Sequence, residues 1–417
     1  MSYEAIAILM FATFMLLLLT GQRVFGVIGF VATVFALALW GEGAVEMPFA
    51  STITLLNWYP MLTLPMFVYM GYMLSESGIA DDLYRMFHVW TGPMRGGLAV
   101  GTILLMVAIS AMNGLSVAGL AIGATIAMPE LLKRGYDKIM VTGVIQAGST
   151  LGIMIPPSVV LVLYAMIARQ PVGQLWLAGV GPGLPAEERA QITWREKVGL
   201  LRAGILPLII IFSMTGLFVL GVTSMVESSA VGAFTATLVA WYKGRITRKV
   251  MEDTLRKSLA VSAMFMWIIL AALAFGAVFD GLGAVNAIET LFLEKWGLEP
   301  WQVLVLMQLS YIVMGTFLDD TAMLIIVAPL YVPLIIALGF NPIWYGVLYT
   351  ITCQIAYMTP PFGYNLFLMR AMSPKEVTLI DIYRSIIPFV LLMLLGLVLV
   401  IVFPEIALWL PEQVYGK

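Results

Sequence analysis

Apolar runs recur along this chain at lengths that a bilayer accommodates: 5–20, 24–40, 57–75, 203–222, 224–242, 258–278 and 383–403. Crossing a hydrocarbon core of about 30 Å takes about 20 helical residues. In hydrocarbon a backbone N–H or C=O has no water to turn to, so such runs must be helices that satisfy themselves. Hydrophobic residues make up 61% of the 417 residues and charged residues 11%, against about a quarter charged in soluble domains. No water-soluble fold hides that much apolar surface. The net charge of −2 and the lack of a basic patch exclude nucleic acid as a partner and leave the lipid bilayer as the medium. Cys353 is the only cysteine and sits in an apolar stretch, so a disulfide framework is excluded and a buried thiol is expected. The chain has no phosphate-cradling G-x-x-x-x-G-K-[ST] loop, which turns the search for an energy source from ATP to ion gradients. Run 5–20 follows Glu4 and no Lys or Arg, unlike a cleaved signal peptide, and is expected to stay as a membrane helix.

Orientation follows from Lys243, Arg245, Arg248, Lys249, Arg256 and Lys257, the strongest basic loop in the chain and therefore expected on the cytoplasmic side. Span 258–278 then exits to an outer loop holding Asp280, Glu289, Glu294 and Glu299 but only Lys295. Segment 300–338 enters and returns as an outer hairpin. Segment 342–370 crosses inward to Arg370 and Lys375, and 383–403 returns outward.

Four apolar stretches, 97–128, 139–169, 300–338 and 342–370, are interrupted by Gly, Asn, Asp or Pro. Ile155-Pro156-Pro157 and Thr359-Pro360-Pro361 recur 204 residues apart with similar neighbours on both sides. Each is preceded by a span, an amphipathic stretch ending near a tryptophan (Trp90 or Trp296) and an interrupted hairpin. Arg85, Arg95, Lys133, Arg134 and Lys138 place the first hairpin on the cytoplasmic side, opposite to the second. Two similar halves in opposite orientation are a signature of secondary transporters. The expected fold is an all-α polytopic membrane protein, an inverted repeat with two re-entrant helical hairpins and two Pro-Pro-broken helices. Residues 1–185 carry scaffold helices, the inner hairpin 97–128 and the broken helix 139–169; residues 186–417 carry scaffold helices, the outer hairpin 300–338 and the broken helix 342–370. One crossing is short. Between the outer end of 139–169 and the basic Arg189, Arg195, Lys197 and Arg202, only Val172 to Leu184 is available, about 20 Å of helix interrupted by Gly181-Pro182-Gly183. The chain is either natively shortened there or lacks a segment.

Proline inside a membrane helix orphans the carbonyl four residues back, which is tolerable only where the broken backbone lines a polar cavity. Two Pro-Pro breaks therefore predict two cavities, where freed carbonyls hold Na⁺ and half-helix N-termini favour an anionic group. Gly148-Ser149-Thr150-Leu151-Gly152 and Thr359-Pro360-Pro361-Phe362-Gly363 add exposed backbone and hydroxyl oxygens. A bland reading, in which Pro and Gly merely kink these helices, fits one break better than two at matched positions. The hairpin turns are Ser110-Ala111-Met112-Asn113-Gly114 and Gly315-Thr316-Phe317-Leu318-Asp319-Asp320-Thr321. A carboxylate there costs about 2.5 kcal/mol or more and is functional by default, although either aspartate can instead cap the helix that comes next. Glu227 can start a helix or contact an ion. His88, the only histidine, leaves no basis for a His-built metal site or triad and reads as an interfacial side chain.

An intramembrane aspartyl protease would use Asp280 with Asp319 or Asp320. Asp280 falls at a span end before Gly281-Leu282-Gly283, and no Gly-x-Gly-Asp turn is present. A channel would build its re-entrant loops through oligomeric symmetry, whereas this symmetry lies within one chain. Neither alternative uses the duplicated breaks.

Six motifs stand in order along nearly the whole chain. They are Leu64-Pro65-Met66-Phe67 with Met70-Gly71, Ser110-x-x-Asn113, Gly152-x-x-Ile155-Pro156-Pro157-Ser158, Glu227-x-x-Ala230-Val231-Gly232, Gly315-x-x-x-Asp319 and Thr359-Pro360-Pro361-x-Gly363. Together they resemble the large membrane subunit of tripartite ATP-independent periplasmic (TRAP) transporters. The resemblance implies a Na⁺-coupled, elevator-type importer of the bacterial inner membrane, not an enzyme. It also implies a small TRAP membrane subunit, a periplasmic substrate-binding protein and a small organic-acid substrate; a stand-alone carrier is the alternative. On that likeness one Na⁺ site uses Ser110 and Asn113 with backbone at Gly152, Ile155 and Pro157, and a second uses Gly315, Thr359 and Gly363. Gly114, Ser116, Ser149, Asp319, Asp320 and Pro360 lie near ion or substrate, between the hairpin tips. The chain departs from the pattern at Gly114-Leu115-Ser116, at Asp320 and at the shortened crossing beside Gly183.

Overall fold

The structure, a computed structural model, describes residues 2–415 apart from 21, 42, 45, 58, 78–82, 84–85, 88–96, 114–118, 121–122, 156–157, 184–208, 211, 220, 316–319 and 361–362. Among the described residues every regular element is helical. In chain order these are α1 (Tyr3–Leu19), α2 (Val24–Leu39), α3 (Glu46–Leu56), α4 (Thr63–Glu76), α5 (Gly97–Asn113) and α6 (Gly123–Ala127 continuing as Met128–Lys133). Next come α7 (Lys138–Leu151), α8 (Val159–Ala168), α9 (Val172–Gly183), α10 (Phe212–Gly216 continuing as Leu217–Val219), α11 (Met225–Tyr242), α12 (Arg248–Gly281) and α13 (Ala284–Thr290). The chain ends with α14 (Pro300–Gly315), α15 (Asp320–Ala337), α16 (Pro342–Tyr357), α17 (Tyr364–Met372), α18 (Leu379–Val402) and α19 (Glu405–Tyr415). Both α12 and α18 are long and apolar enough to cross a bilayer. Their exposed faces carry Leu259 and Trp267, and Leu391, Leu392, Leu395 and Val398, a greasy exterior suited to lipid.

Helix starts are fixed by side chains that answer the orphan N–H groups of the first turn. Asp137 accepts from Met140 N at 3.1 Å ahead of α7, and Thr247 accepts from Val250 N at 3.2 Å ahead of α12. Asn341 accepts from Ile343 N at 2.8 Å ahead of α16, whose first residue, Pro342, has no N–H to satisfy. In α6 the turn widens over Gly123–Ala127 just before Pro129, which cannot donate to an ordinary α-helical carbonyl.

The helices form two packed layers. In the first, α12 lies against α2, α3 and α4, while α4 lies along α11, with the Tyr69 hydroxyl 3.1 Å from the Thr237 hydroxyl. In the second, the pairings recur under exchange of the halves. The hairpin arm α5 packs on α7 as α14 packs on α16; α9 packs on α16 as α18 packs on α7; α8 contacts α15 and α16 as α17 contacts α6 and α7. A two-fold arrangement of broken helices and hairpins is therefore present in the packing as well as in the sequence. The layers meet along α12 with α15 and α4 with α5. Lys138 pairs with Asp381 across 2.8 Å, which puts the starts of α7 and α18 on one side, as the charge pattern requires. Lys295 pairs with Glu4, tying the stretch after α13 to the start of α1.

Three expectations need correction. The run 57–75 is not one helix: α3 stops at Leu56, a tight turn spans Tyr59–Leu62, and α4 begins at Thr63. Pro60 has no N–H to donate to the Leu56 carbonyl, so the helix ends there. Nor does the inward end of 258–278 begin in a loop, because α12 starts ten residues earlier and most of the basic cluster rides on its first turns. The C-terminal α19 has no counterpart among the expected spans; its apolar and polar residues are mixed, and it packs on α9. Only the later part of the span 203–222 is described. The short crossing is helical to Gly183, and the chain from 184 to 208 is outside the described residues. His88 and Trp90 also lie outside them.

Close approach fixes the outer hairpin. A Cβ on Gly315 would collide with the Cβ of buried Ala356, so α14 and α16 touch backbone to side chain only because residue 315 is glycine. Gly315→Ala is expected to lower stability by about 1–3 kcal/mol, and adding Ala356→Gly to restore part of it, read as thermal unfolding of the protein in detergent; equal melting of wild type and Gly315→Ala would refute the contact. Asp381 both pairs with Lys138 and caps α18, with Thr378 N donating to its carboxylate at 2.8 Å. Asp381→Ala is therefore expected to lower the melting temperature more than Lys138→Ala, and the reverse order would remove the cap from the account.

Candidate ion and solute site

The first break runs from Gly152 to Ser158. Pro156 has no N–H for the Gly152 carbonyl, and that oxygen has no donor among the described residues. Pro157 likewise deprives the Ile153 carbonyl, which the Ser158 hydroxyl takes instead while accepting from Leu161 N at 3.1 Å to start α8. Short turns fill the interval, with Ile153 N on Thr150 O at 3.2 Å and Ile155 N on Leu151 O at 3.2 Å. The buried Ser149 and Thr150 hydroxyls donate back along α7, to Gln146 O at 2.8 Å and Ala147 O at 2.9 Å. A hydroxyl spending its proton this way keeps lone pairs for an incoming cation.

The second break repeats the chemistry with different residues. Thr359 donates its hydroxyl to Ile355 O at 2.6 Å and its N–H to Ala356 O at 3.1 Å. A Cβ on Gly363 would lie 2.6 Å from Tyr357 O and 2.9 Å from Thr359 O. Two carbonyl oxygens thus converge on a point that only glycine leaves open. Pro360 stands exposed at the turn. Gly315, at the end of α14, abuts Ala356, three residues ahead of Thr359, and Gly363 lies against the Thr359 carbonyl.

In the first set, Gly152, Ile155 and Ser149 share the α7 end, and Met106 of α5 abuts Gly148, where a Cβ would lie 2.8 Å from the Met106 Cβ. Ser110 and Asn113 are in the last turn of that same α5. Their side chains, and that of Asp320 at the start of α15, are outside the description, as are Gly114, Ser116, Pro157 and Asp319 altogether. Glu227 has a settled part: Ser224 N donates to its carboxylate at 2.7 Å and Glu227 N donates to the Ser224 hydroxyl at 3.3 Å, a reciprocal cap that starts α11.

Sequence reading passes over three buried glutamines that share this layer. Gln146 donates to the Ser385 hydroxyl of α18 at 3.3 Å, and Gln308 accepts from the Thr352 hydroxyl at 2.6 Å. Gln146 Oε1, Gln308 Nε2 and Gln354 Nε2 have no hydrogen-bond partner among the described residues. Gln354 borders a cavity of 230 Å³ between Ile103, Gly148 and Leu151 of the first half and Ile351, Phe389 and Gly396 of the second. An amide inside an otherwise apolar run is the signal that points to them. Among the described residues no three His, Cys, Asp or Glu side chains group together.

Comparisons with known proteins agree with this layout. Residues 11–406 match the family model described as tripartite ATP-independent periplasmic transporter, DctM component. The C4-dicarboxylate TRAP transporter large permease protein DctM of Pseudomonas aeruginosa is 29% identical over 376 residues, covering 85% of this chain and 86% of that protein. The ectoine TRAP transporter large permease protein TeaC of Halomonas elongata is 26% identical over 407 residues, covering 91% and 93%. The sialic acid TRAP transporter permease protein SiaT of Haemophilus influenzae is 23% identical over 407 residues, covering 92% of this chain and 65% of that longer protein. The crystal structure of the Alcanivorax borkumensis YdaH transporter shares the fold, with a TM-score of 0.57 at 14% identity over 90% of each chain. Broken helices, hairpins and the match along nearly the whole length converge on one conclusion: the chain belongs to the tripartite ATP-independent periplasmic transporter family as its DctM component, a membrane-embedded large permease and not an enzyme.

Proposed function

We propose that this permease imports a small organic acid across the bacterial inner membrane, driven by Na⁺, with a periplasmic binding protein delivering the solute and a small TRAP membrane subunit beside it. The observation that carries the reading is the paired arrangement of break and hairpin, each break lined by backbone oxygens. The first Na⁺ would be held by Ser110 and Asn113 with Gly152, Ile155 and Pro157, and the second by Gly315, Thr359 and Gly363. Ser149, Pro360, Gly114, Ser116, Asp319 and Asp320 would border the solute between the hairpin tips. The related permeases named for C4-dicarboxylates, ectoine and sialic acid all concern carboxylate-bearing solutes, which supports the substrate class.

The division into halves 1–185 and 186–417 belongs to this proposal, and so does the motion. The layer of hairpins and broken helices would slide against the layer of α2, α3, α4, α11 and α12 as an elevator. Two Na⁺ moving inward contribute about 4.6 kcal/mol per 100 mV of membrane potential, enough for more than a thousandfold accumulation of a neutral solute. A monovalent anion returns about half of that.

Reconstitution of the permease with its small subunit and binding protein in proteoliposomes tests the reading through uptake of labelled organic acids with and without an inward Na⁺ gradient. Uptake is expected to require both Na⁺ and the binding protein. Indifference to Na⁺ would sink the ion sites, and uptake without the binding protein would mean a stand-alone carrier. Ser110→Ala, Thr359→Val and Asp319→Asn are each expected to raise the Na⁺ concentration for half-maximal uptake severalfold while leaving the melting temperature near wild type. Unchanged Na⁺ affinity in all three would remove the assignment.

A further inference from the structure

Arg169 ends α8 with φ 53° and ψ 38°, the one described non-glycine residue in the left-handed region. That region suits glycine, and the turn it closes, with Gln170 N on Ala165 O at 2.9 Å ahead of Pro171, asks nothing of a long cationic side chain. The guanidinium has no ion pair and no hydrogen bond among the described residues, and it is exposed. It also borders two cavities at the seam between the layers. One, of 460 Å³, is shared with Ser51 and Asn57; the other, of 490 Å³, is shared with Asp280, Asn286 and Pro333. Asp280 lies in the last turn of α12, the end that the charge pattern directs outward, so the cavity it borders sits at the outer end of the seam. Strain kept at a functional position is an ordinary trade in proteins.

We propose that these seam cavities are an outer entry site for a carboxylate solute, with Arg169 as its anion receptor. Mostly apolar walls strengthen the field of an unpaired guanidinium, whose planar fork matches a carboxylate. In the cavity it shares with Arg169, Asp280 repels a second carboxylate and accepts from hydroxyl or ammonium groups, while Asn286 donates or accepts. The guest class is therefore a monocarboxylate bearing hydroxyl or amino groups. The inference rests on the import reading, since it supplies the stop between delivery and the hairpin tips.

The test uses the wild-type permease, Arg169→Gly and Arg169→Lys in nanodiscs of neutral lipid, with thermal unfolding monitored against sodium salts of lactate, gluconate, glycine and sialic acid at constant Na⁺. At least one salt is expected to raise the wild-type melting temperature. Arg169→Gly is expected to weaken that binding about ten- to a hundredfold while melting, without ligand, no lower than wild type, because glycine fits the backbone. Arg169→Lys should fall between. Equal binding by Arg169→Gly, or no stabilisation of wild type by any of the four, overturns the proposal; stabilisation only by added phosphatidylglycerol overturns it in favour of a lipid headgroup. Uptake by the wild type and by Arg169→Gly, each with the small subunit and binding protein in proteoliposomes, separates the two readings. Import that does not depend on Arg169 sinks this inference alone, whereas Arg169-dependent binding without Na⁺-driven import sinks the function reading and leaves the site.

Discussion

Each hydrogen bond that a proline removes from a helix in hydrocarbon has to be answered by something other than water, and the second layer is organised around four such removals. At Gly152 the carbonyl is left without a donor, at Ile153 a serine supplies one, and at Ala356 the Thr359 N–H closes the turn early. The broken ends need shelter from lipid while keeping oxygen available inside. The hairpins provide that shelter, and close contacts at Gly148 and Gly315 set how near they come.

Because each half shelters its own break with its own hairpin, the halves still have to be joined. Helix α18 does much of this, lying on both α7 and α16. It receives the Gln146 amide through Ser385 and holds Lys138 through Asp381. One contact is buried and the other lies where α7 and α18 begin, so α18 is tied to α7 at two depths. Buried amides with an unused donor or acceptor cost stability, and among the described residues Gln146, Gln308 and Gln354 bring that cost to this layer.

Much of this architecture was legible because proline and charge act locally. Pro156-Pro157 and Pro360-Pro361 announce their breaks by covalent structure alone, and the basic residues around Lys138 and Arg370 orient them. The Ser224 to Glu227 spacing offers a cap and an ion contact equally, and only the folded geometry chooses between them. Other features depend on what hydropathy averages away. The interruption at Pro60 hides inside a run that reads as one span, and the charged start of α12 looks like a loop because its residues face water while its backbone stays helical. Gln146, Gln308 and Gln354 were legible as residue types but their surroundings were not, since the Gln146–Ser385 and Gln308–Thr352 contacts and the cavity beside Gln354 depend on how separate helices pack.

The 34 residues of α12 make a rod about 51 Å long at 1.5 Å per residue. That exceeds a hydrocarbon core of about 30 Å by several turns. The surplus is charged, from Arg248 to Lys257, with the Lys257 ammonium 5.9 Å from the centre of the Tyr72 ring. Drawing that end into hydrocarbon is costly, so the rod cannot sink with its neighbours. Bilayer thickness is thereby written into the frame as a fixed datum: in a thinner membrane α12 tilts instead of descending. Since α15 leans on α12 at the seam, acyl-chain length becomes a mechanical setting of the permease.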